Sequence, residues 1–207
     1  MSQYKKPKDF WGNSENAKEW IRRVDLKLAN KGSTTFKSID AFVEDVNENK
    51  DKFNSFLEVG AGNGRLIGAL SEKFLDKECY SIDINPALSD YVHEKYPNVT
   101  TFIGEVAKLP LEDNSYDLVY TYQVLQHVVP EEMEMALKEL VRVAKKEIWL
   151  MEGYDPECYQ FGNGIMRTNA DGGTFAWFFD EMLKCYAHDF VEGIRVYKIK
   201  KDDPWLK

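Results

Sequence analysis

Two acids and one histidine stand where they could do chemistry. Glu58 nearly closes an apolar run, Phe53 to Val59, and lies two residues before Gly60-Ala61-Gly62-Asn63-Gly64. A carboxylate there would repel a pyrophosphate, but it suits a ligand with a cationic amino group. Asp83 ends Glu78-Cys79-Tyr80-Ser81-Ile82-Asp83, about 20 residues past the glycines. At that distance a carboxylate takes both hydroxyls of a ribose, each hydroxyl donating to one acceptor oxygen. A histidine side chain ordinarily titrates near neutrality, which makes His127 a candidate base. Its other reading is a ring that hydrogen-bonds backbone and orders its own loop.

The glycines explain how a ligand could approach. An apolar strand breaks into three alternate glycines, and a helical pattern with Leu66, Ile67 and Leu70 follows. Glycine lacks the Cβ that would obstruct a ligand and tolerates positive φ. The helix start adds N–H groups and a partial positive charge, which suit a carboxylate or phosphate. A dinucleotide fingerprint needs G-x-G-x-x-G. Here the third glycine comes one residue early, and Arg65 holds the required place.

The stretch Glu58-Val59-Gly60-Ala61-Gly62-Asn63-Gly64 resembles the first motif of the class I S-adenosylmethionine-dependent methyltransferases, [D/E]-x-G-x-G-x-G. Gly104-Glu105-Val106-Ala107 is similar to the family's G-D-A-like segment, with Glu105 replacing the commoner Asp by a longer side chain. Tyr116-Asp117-Leu118-Val119 through Leu125-Gln126-His127 is similar to its fourth-strand motif. The resemblance covers roughly residues 53–152. It implies an α/β, Rossmann-like fold: a mostly parallel, doubly wound sheet of six to seven strands with N-terminal accessory helices. It implies S-adenosyl-L-methionine as cofactor and S-adenosyl-L-homocysteine as product. The cofactor would be held by Glu58, Gly60, Ala61, Gly62, Asn63, Gly64, Asp83, Ile84, Glu105, Val106 and Thr121. Glu105 would lie near the adenine amino group. His127 and Tyr122 would be the catalytic pair, His127 as base or as the histidine that orders its loop, Tyr122 lining the methyl channel or packing. Arg65 would steady the methionine carboxylate or stand solvated at its helix start.

These residues need elements to position them. Ser14 is the expected cap of a helix over about 15–30, with Ala17, Trp20, Ile21, Val24 and Leu28 on one face and Lys31-Gly32-Ser33 ending it. A second helix is expected over about 36–50. Tyr4, Phe10 and Trp11 either join a lid over the cofactor or anchor the segment. Strands are expected at 53–59, 78–83, 99–103, 116–122, 147–151 and 190–199, with a helix over about 65–75, one from Pro86 to Tyr96 and one from Pro130. Residues 152–173 read as an aromatic, glycine-rich loop at a strand's carboxyl end, where substrate sites are built. Thr174 is the expected cap of a last helix carrying Phe175, Trp177, Phe178, Met182 and Leu183. Only six strands have clear room, so the seventh is expected to be missing or very short. Residues 1–50 are read as a helical cap of the same domain, and 51–207 as the cofactor-binding domain.

Bulk properties bound the function. The chain has 207 residues, 43% hydrophobic and 14% aromatic, enough for one packed α/β domain. A formal net charge of −8 argues against a general nucleic-acid binder. No apolar run approaches a membrane span, and Met1 to Asp9 carries no secretory pattern. Cys79, Cys158 and Cys185 are far apart and odd in number, which suggests a reducing, cytoplasmic setting. Acids such as Asp155 and Glu157 form no credible metal cage, so no metal is expected. His93 and His188 read as solvent-exposed; Arg22 and Arg23 are candidate contacts for an anionic substrate.

The expected function is methyl transfer to oxygen or nitrogen of a small polar molecule, by a monomer or homodimer. Asp9-Phe10-Trp11-Gly12, Val124-Leu125-Gln126-His127 and Phe178-Phe179-Asp180-Glu181-Met182-Leu183 are also similar to small bacterial methyltransferases found beside pseudaminic acid and other nonulosonic sugar pathways, which points to a small polar or sugar-like acceptor. The rival readings are a tRNA or protein methyltransferase and a non-catalytic S-adenosylmethionine-binding protein.

Overall fold

In a computed structural model, the structure describes residues 7–28, 34–153, 165–167, 174–176, 187–191 and 194–203. Tyr4, Lys31-Gly32-Ser33, Asp155, Glu157, Trp177 to Leu183 and most of the 152–173 loop lie outside them, as does the side chain of His188.

Three helices come first: α1 (Pro7–Trp11), α2 (Ser14–Leu28) and α3 (Thr34–Glu48). The cap of α2 is Asn13 rather than Ser14. The Asn13 carboxamide oxygen accepts from the N–H groups of Glu15 and Asn16 at 2.9 and 3.3 Å. Alternation then begins with β1 (Ser55–Val59), α4 (Arg65–Lys73), β2 (Glu78–Asp83), α5 (Pro86–Lys95), β3 (Val99–Ile103) and β4 (Tyr116–Tyr122). Next come α6 (Pro130–Val143) and β5 (Ala144–Gly153), then β6 (Ile165–Arg167), β7 (Thr174–Ala176), β8 (Ala187–Val191) and β9 (Ile194–Lys200).

Seven strands form one sheet in the order β3-β2-β1-β4-β5-β9-β8. Strands β1 to β5 pair in parallel, and β9 and β8 close the edge antiparallel. The seventh strand is therefore present. The expected single strand over 190–199 is a hairpin, with the chain reversing between Val191 and Ile194. The expected helix start at Thr174 is also corrected. Thr174–Ala176 pairs antiparallel with Ile165–Arg167, so Phe175 lies in a two-stranded ribbon.

Both sheet faces are covered, so β1 and β4 are buried along their whole length. One face packs Leu57, Val119 and Leu150 under Met133, Ala136 and Leu140 of α6. The other packs Leu118, Tyr120 and Trp149 under Phe42 and Val46 of α3 and Leu66 and Ile67 of α4. Strand order reverses between β1 and β4, and a doubly wound sheet opens a ligand crevice at such a point. Asp117 is structural. It accepts from the Asn54 N–H at 2.8 Å and from Lys146 at 2.9 Å.

Candidate functional site

The crevice is a cavity of about 370 Å³ at the carboxyl ends of the parallel strands. Its floor begins at the β1–α4 loop. Gly60 and Gly62 have φ of +74° and +57°, left-handed values that a side chain would make costly. A Cβ on Gly60 would lie 2.5 Å from a Val124 methyl, and one on Gly62 would lie 2.6 Å from the Trp20 ring. The glycines thus admit protein neighbours as well as any ligand.

Glu58 is 2% exposed, and Oε2 accepts from the Ile67 N–H at 2.9 Å and from Tyr120 Oη at 3.5 Å. It caps α4, satisfying one of the donors a helix start leaves open. Burial pushes its carboxyl up to about 8, with Arg65 and the Ile67 bond pulling the other way. Asp83, 7% exposed, accepts from Gly62 N–H on Oδ2 at 2.9 Å and from Asn85 N–H on Oδ1 at 3.0 Å. Burial raises its pKa as well, against those backbone bonds. Each carboxylate oxygen carries more than one acceptor site, so Asp83 keeps capacity for two hydroxyls.

The roof is α1 and the start of α2. Asn85 caps α5 with its side-chain oxygen, and its amide donates to the Trp11 carbonyl at 2.6 Å. Lys8 reaches Glu132 at 3.3 Å and Glu105 at 3.7 Å. The Trp11 ring meets His127 with centroids 4.9 Å apart and Trp20 with centroids 5.6 Å apart. Trp11 is therefore part of the cavity wall.

The third wall follows β4. Gln123 has φ +55°, and a 3-10 turn over Leu125–His127 brings Gln126 and His127 to the cavity. Glu152, at the end of β5, holds this turn from behind. Its Oε1 accepts from Thr121 Oγ1 at 2.7 Å and from Val124 N–H at 3.3 Å, while buried Oε2 has no hydrogen-bond partner. Burial pushes Glu152 up to about 7. Tyr122 turns toward α3 and donates its hydroxyl to Ser38 at 2.9 Å, leaving its ring against the cavity.

The structure brings Glu58, Gly60, Ala61, Gly62, Asp83 and Ile84 into one cavity with Glu105, Val106, Tyr122 and His127. Three expected site residues do not line it. Thr121 is fully buried and spends its hydroxyl on Glu152. Asn63 is fully buried behind the loop and joins Asp25 to Arg65. Gly64 backs onto Val92 and Tyr96, where a Cβ would come within 2.8 Å of Val92. Arg22 pairs with Glu19 on the exposed face of α2, away from the cavity. His93 is exposed, as expected.

Lys8, Trp20, Gln126 and Glu132 line the cavity and were not singled out as site residues from sequence. The first two come from helices whose docking is a long-range event. Glu152 had a legible signal: a lone acid ending the apolar run Ile148 to Met151. No cluster among the described residues has the make-up of a metal site, and no helix among them is long and apolar enough to cross a membrane.

Residues 57–151 match the methyltransferase domain family. An uncharacterised methyltransferase-like protein of Schizosaccharomyces pombe is 36% identical over 95 residues, covering 46% of this chain and 36% of that protein. The chain thus spans about a third of the length of that curated relative. The structure is similar to a TehB-like S-adenosylmethionine-dependent methyltransferase of Corynebacterium glutamicum, with TM-score 0.64 and 16% identity over 90% of this chain and 98% of that one. It is also similar to the magnesium protoporphyrin IX methyltransferase of Synechocystis with bound S-adenosylmethionine, with TM-score 0.65 and 15% identity over 97% and 99% of the two chains. At these identities the two solved structures speak for the fold. With the domain match at 57–151 and the likeness of fold, the chain is similar to S-adenosylmethionine-dependent methyltransferases.

Proposed function

We propose that the chain transfers a methyl group from S-adenosylmethionine to an oxygen or nitrogen of a small polar acceptor, sugars among them. The observation that carries this is the shared cavity: glycine loop, Asp83, Glu105, Tyr122 and His127 all open into it. The cofactor supplies, when bound, a methyl group on a sulfonium that is already electrophilic. The chain fits it. A loop without Cβ atoms lies beside a buried acid, and Asp83 keeps acceptor sites beyond its two backbone bonds.

In this proposal residues 58–65 take the amino-acid tail, Asp83 takes the ribose, and Ile84 with Glu105 and Val106 border the base. Glu105 lies 3.7 Å from Lys8, so the roof helps to fix the carboxylate that faces the adenine. Trp11 and Trp20 keep water away, and Tyr122 and Gln126 border the acceptor's approach. His127, fixed by the Glu152-held turn and by the Trp11 ring, accepts the proton that a hydroxyl or ammonium acceptor must lose. Alignment supplies most of the rate, because the donor needs no further activation.

Residues 1–50 form a cap on the same domain and 51–207 its cofactor-binding part. This division rests on α3, whose Phe42 and Val46 share a core with β4 and β5. The net charge of −8 favours a small acceptor over tRNA.

The test is calorimetric titration with S-adenosylhomocysteine, followed by a labelled-methyl assay over polar acceptors. Wild type should bind in the micromolar range, and Asp83→Asn should weaken binding by about 1–3 kcal/mol. Unchanged affinity in that variant would remove the ribose assignment.

A further inference from the structure

Asn85 does more than a helix cap requires. It is fully buried just past Asp83 and does not itself line the cavity. Its side-chain oxygen caps α5 by accepting from the Ala87 N–H at 2.9 Å, a task that a serine would perform as well. What the amide adds is a donating arm. That arm reaches 74 residues back along the chain, to the Trp11 carbonyl at 2.6 Å. The Asn85 backbone N–H meanwhile donates to Asp83 Oδ1 at 3.0 Å. One residue thus touches both the acid at the end of β2 and the last residue of α1.

Helix α1 cannot hold itself in place. It has five residues, too few for a helix to stand alone. The pairs from Lys8 to Glu105 and Glu132 are partly exposed and therefore screened. The N–H groups that follow the helix, of Gly12 and Asn13, go to the carbonyls of Lys8 and Phe10. The Trp11 carbonyl is an open helix-end acceptor that Asn85 satisfies. On its other side Trp11 meets the imidazole of His127, with centroids 4.9 Å apart and planes at 64°. The Trp11 Nε1 is buried with no hydrogen-bond partner. The ring is therefore set by its backbone and by the rings of Phe10, Trp20 and His127.

We propose that Asn85 is a positioning residue for methyl transfer, joining the ribose end of the cavity to its acceptor end through Trp11. A ribose on Asp83 fixes the turn over 83–85. The Asn85 amide then holds the Trp11 carbonyl, and the Trp11 ring holds the imidazole in register with the acceptor. Donor occupancy thereby sets the orientation of the base. The proposal rests on the methyl-donor reading of the cavity and on His127 as its base.

The experiment follows histidine ring resonances by NMR as S-adenosylhomocysteine is added to saturation. The chain has three histidines, His93, His127 and His188, and His127→Gln assigns the signal of interest. His93, exposed on the helix that Asn85 caps, reports whether the cap survives. In wild type the ligand should displace the His127 signal. Asn85→Ser should bind the ligand within about threefold of wild type and leave His93 unmoved, because serine caps too. Its His127 displacement should nonetheless fall by about half or more, Trp11→Leu should show the same loss, and the double variant no further loss. An undiminished displacement in either single variant would overturn the proposal, as would losses that add in the double variant. A moved His93 signal or abolished ligand binding in Asn85→Ser would reduce Asn85 to a cap and overturn it too. A wild type that binds the ligand without any response at His127 would overturn this proposal alone. A wild type that does not bind it would overturn the methyl-donor reading, and this proposal with it.

Discussion

The floor of the cavity is made of strand ends whose polar groups are answered by neighbouring backbone, whereas its roof is held by a few side-chain contacts across the chain. On the floor, Glu58 and Asp83 take the N–H groups of Ile67, Gly62 and Asn85. Those partners lie within 21 residues in sequence, on adjoining turns. In the roof, Lys8 reaches Glu132 and the Trp11 carbonyl accepts from Asn85, contacts 124 and 74 residues apart. The floor is therefore present as soon as β1, β2 and their turns form. The roof is the part that can yield when a ligand enters or leaves.

This contrast is broken most severely at Gly60. A Cβ there would sit at positive φ and 2.5 Å from Val124, which the Glu152-held turn fixes. Gly60→Ala should destabilise the fold by about 2–4 kcal/mol, combining left-handed strain with overpacking. Chemical denaturation reads this directly. A loss below about 0.5 kcal/mol would mean that the floor is softer than its packing implies.

Acidity gives the next largest effect. Burial raises Glu58 to about 8 and Glu152 to about 7, both above an ordinary carboxyl. Between those values and pH 4.5 the folded chain keeps protons that the unfolded chain has released. The ligand-free protein should thus be most stable near pH 5 and lose stability as pH rises through 7 and 8, by at most about 1.4 kcal/mol per pH unit for each group. Glu152→Gln should flatten the lower part of that slope while preserving the bond from Thr121. Denaturation at pH 5.5, 7 and 8.5 distinguishes this from a slope that survives the substitution.

The smallest effect belongs to the roof. Lys8 and Glu105 are 36% and 49% exposed, so their pairing is screened. Lys8→Ala should change fold stability by less than about 0.5 kcal/mol. It should nonetheless raise the dissociation rate of S-adenosylhomocysteine up to about fivefold, as loss of a weak clamp would. Stopped-flow displacement measures that rate, and an unaltered value would remove Lys8 from the roof's closure.

The same division governs what could be read from the sequence. Strands β2, β3 and β4 are bounded as the sequence pattern and turn residues indicate, most clearly in β4, which is buried throughout. The glycine loop and Asp83 were legible for the same local reason. Local pattern failed where pairing is remote. Phe175 lies in a ribbon whose partner strand is Ile165–Arg167, and nothing around Thr174 announces that partner. Strands β8 and β9 pair antiparallel inside a run that otherwise reads as one strand, and the sequence between them, Glu192-Gly193, is a weaker signal than Asn-Gly. Asn13 displaced Ser14 as cap because either side chain can serve, and geometry alone chooses between them. Thr121 was misplaced because alternation along β4 puts it behind the cavity, where Glu152 claims it.

The most direct measurement is a crystal structure of the protein grown with S-adenosylhomocysteine. The ribose hydroxyls should fall within hydrogen-bond distance of Asp83 and the amino-acid tail beside residues 58–65. A ligand bound outside this cavity, or one seated with its ribose away from Asp83, would contradict the account.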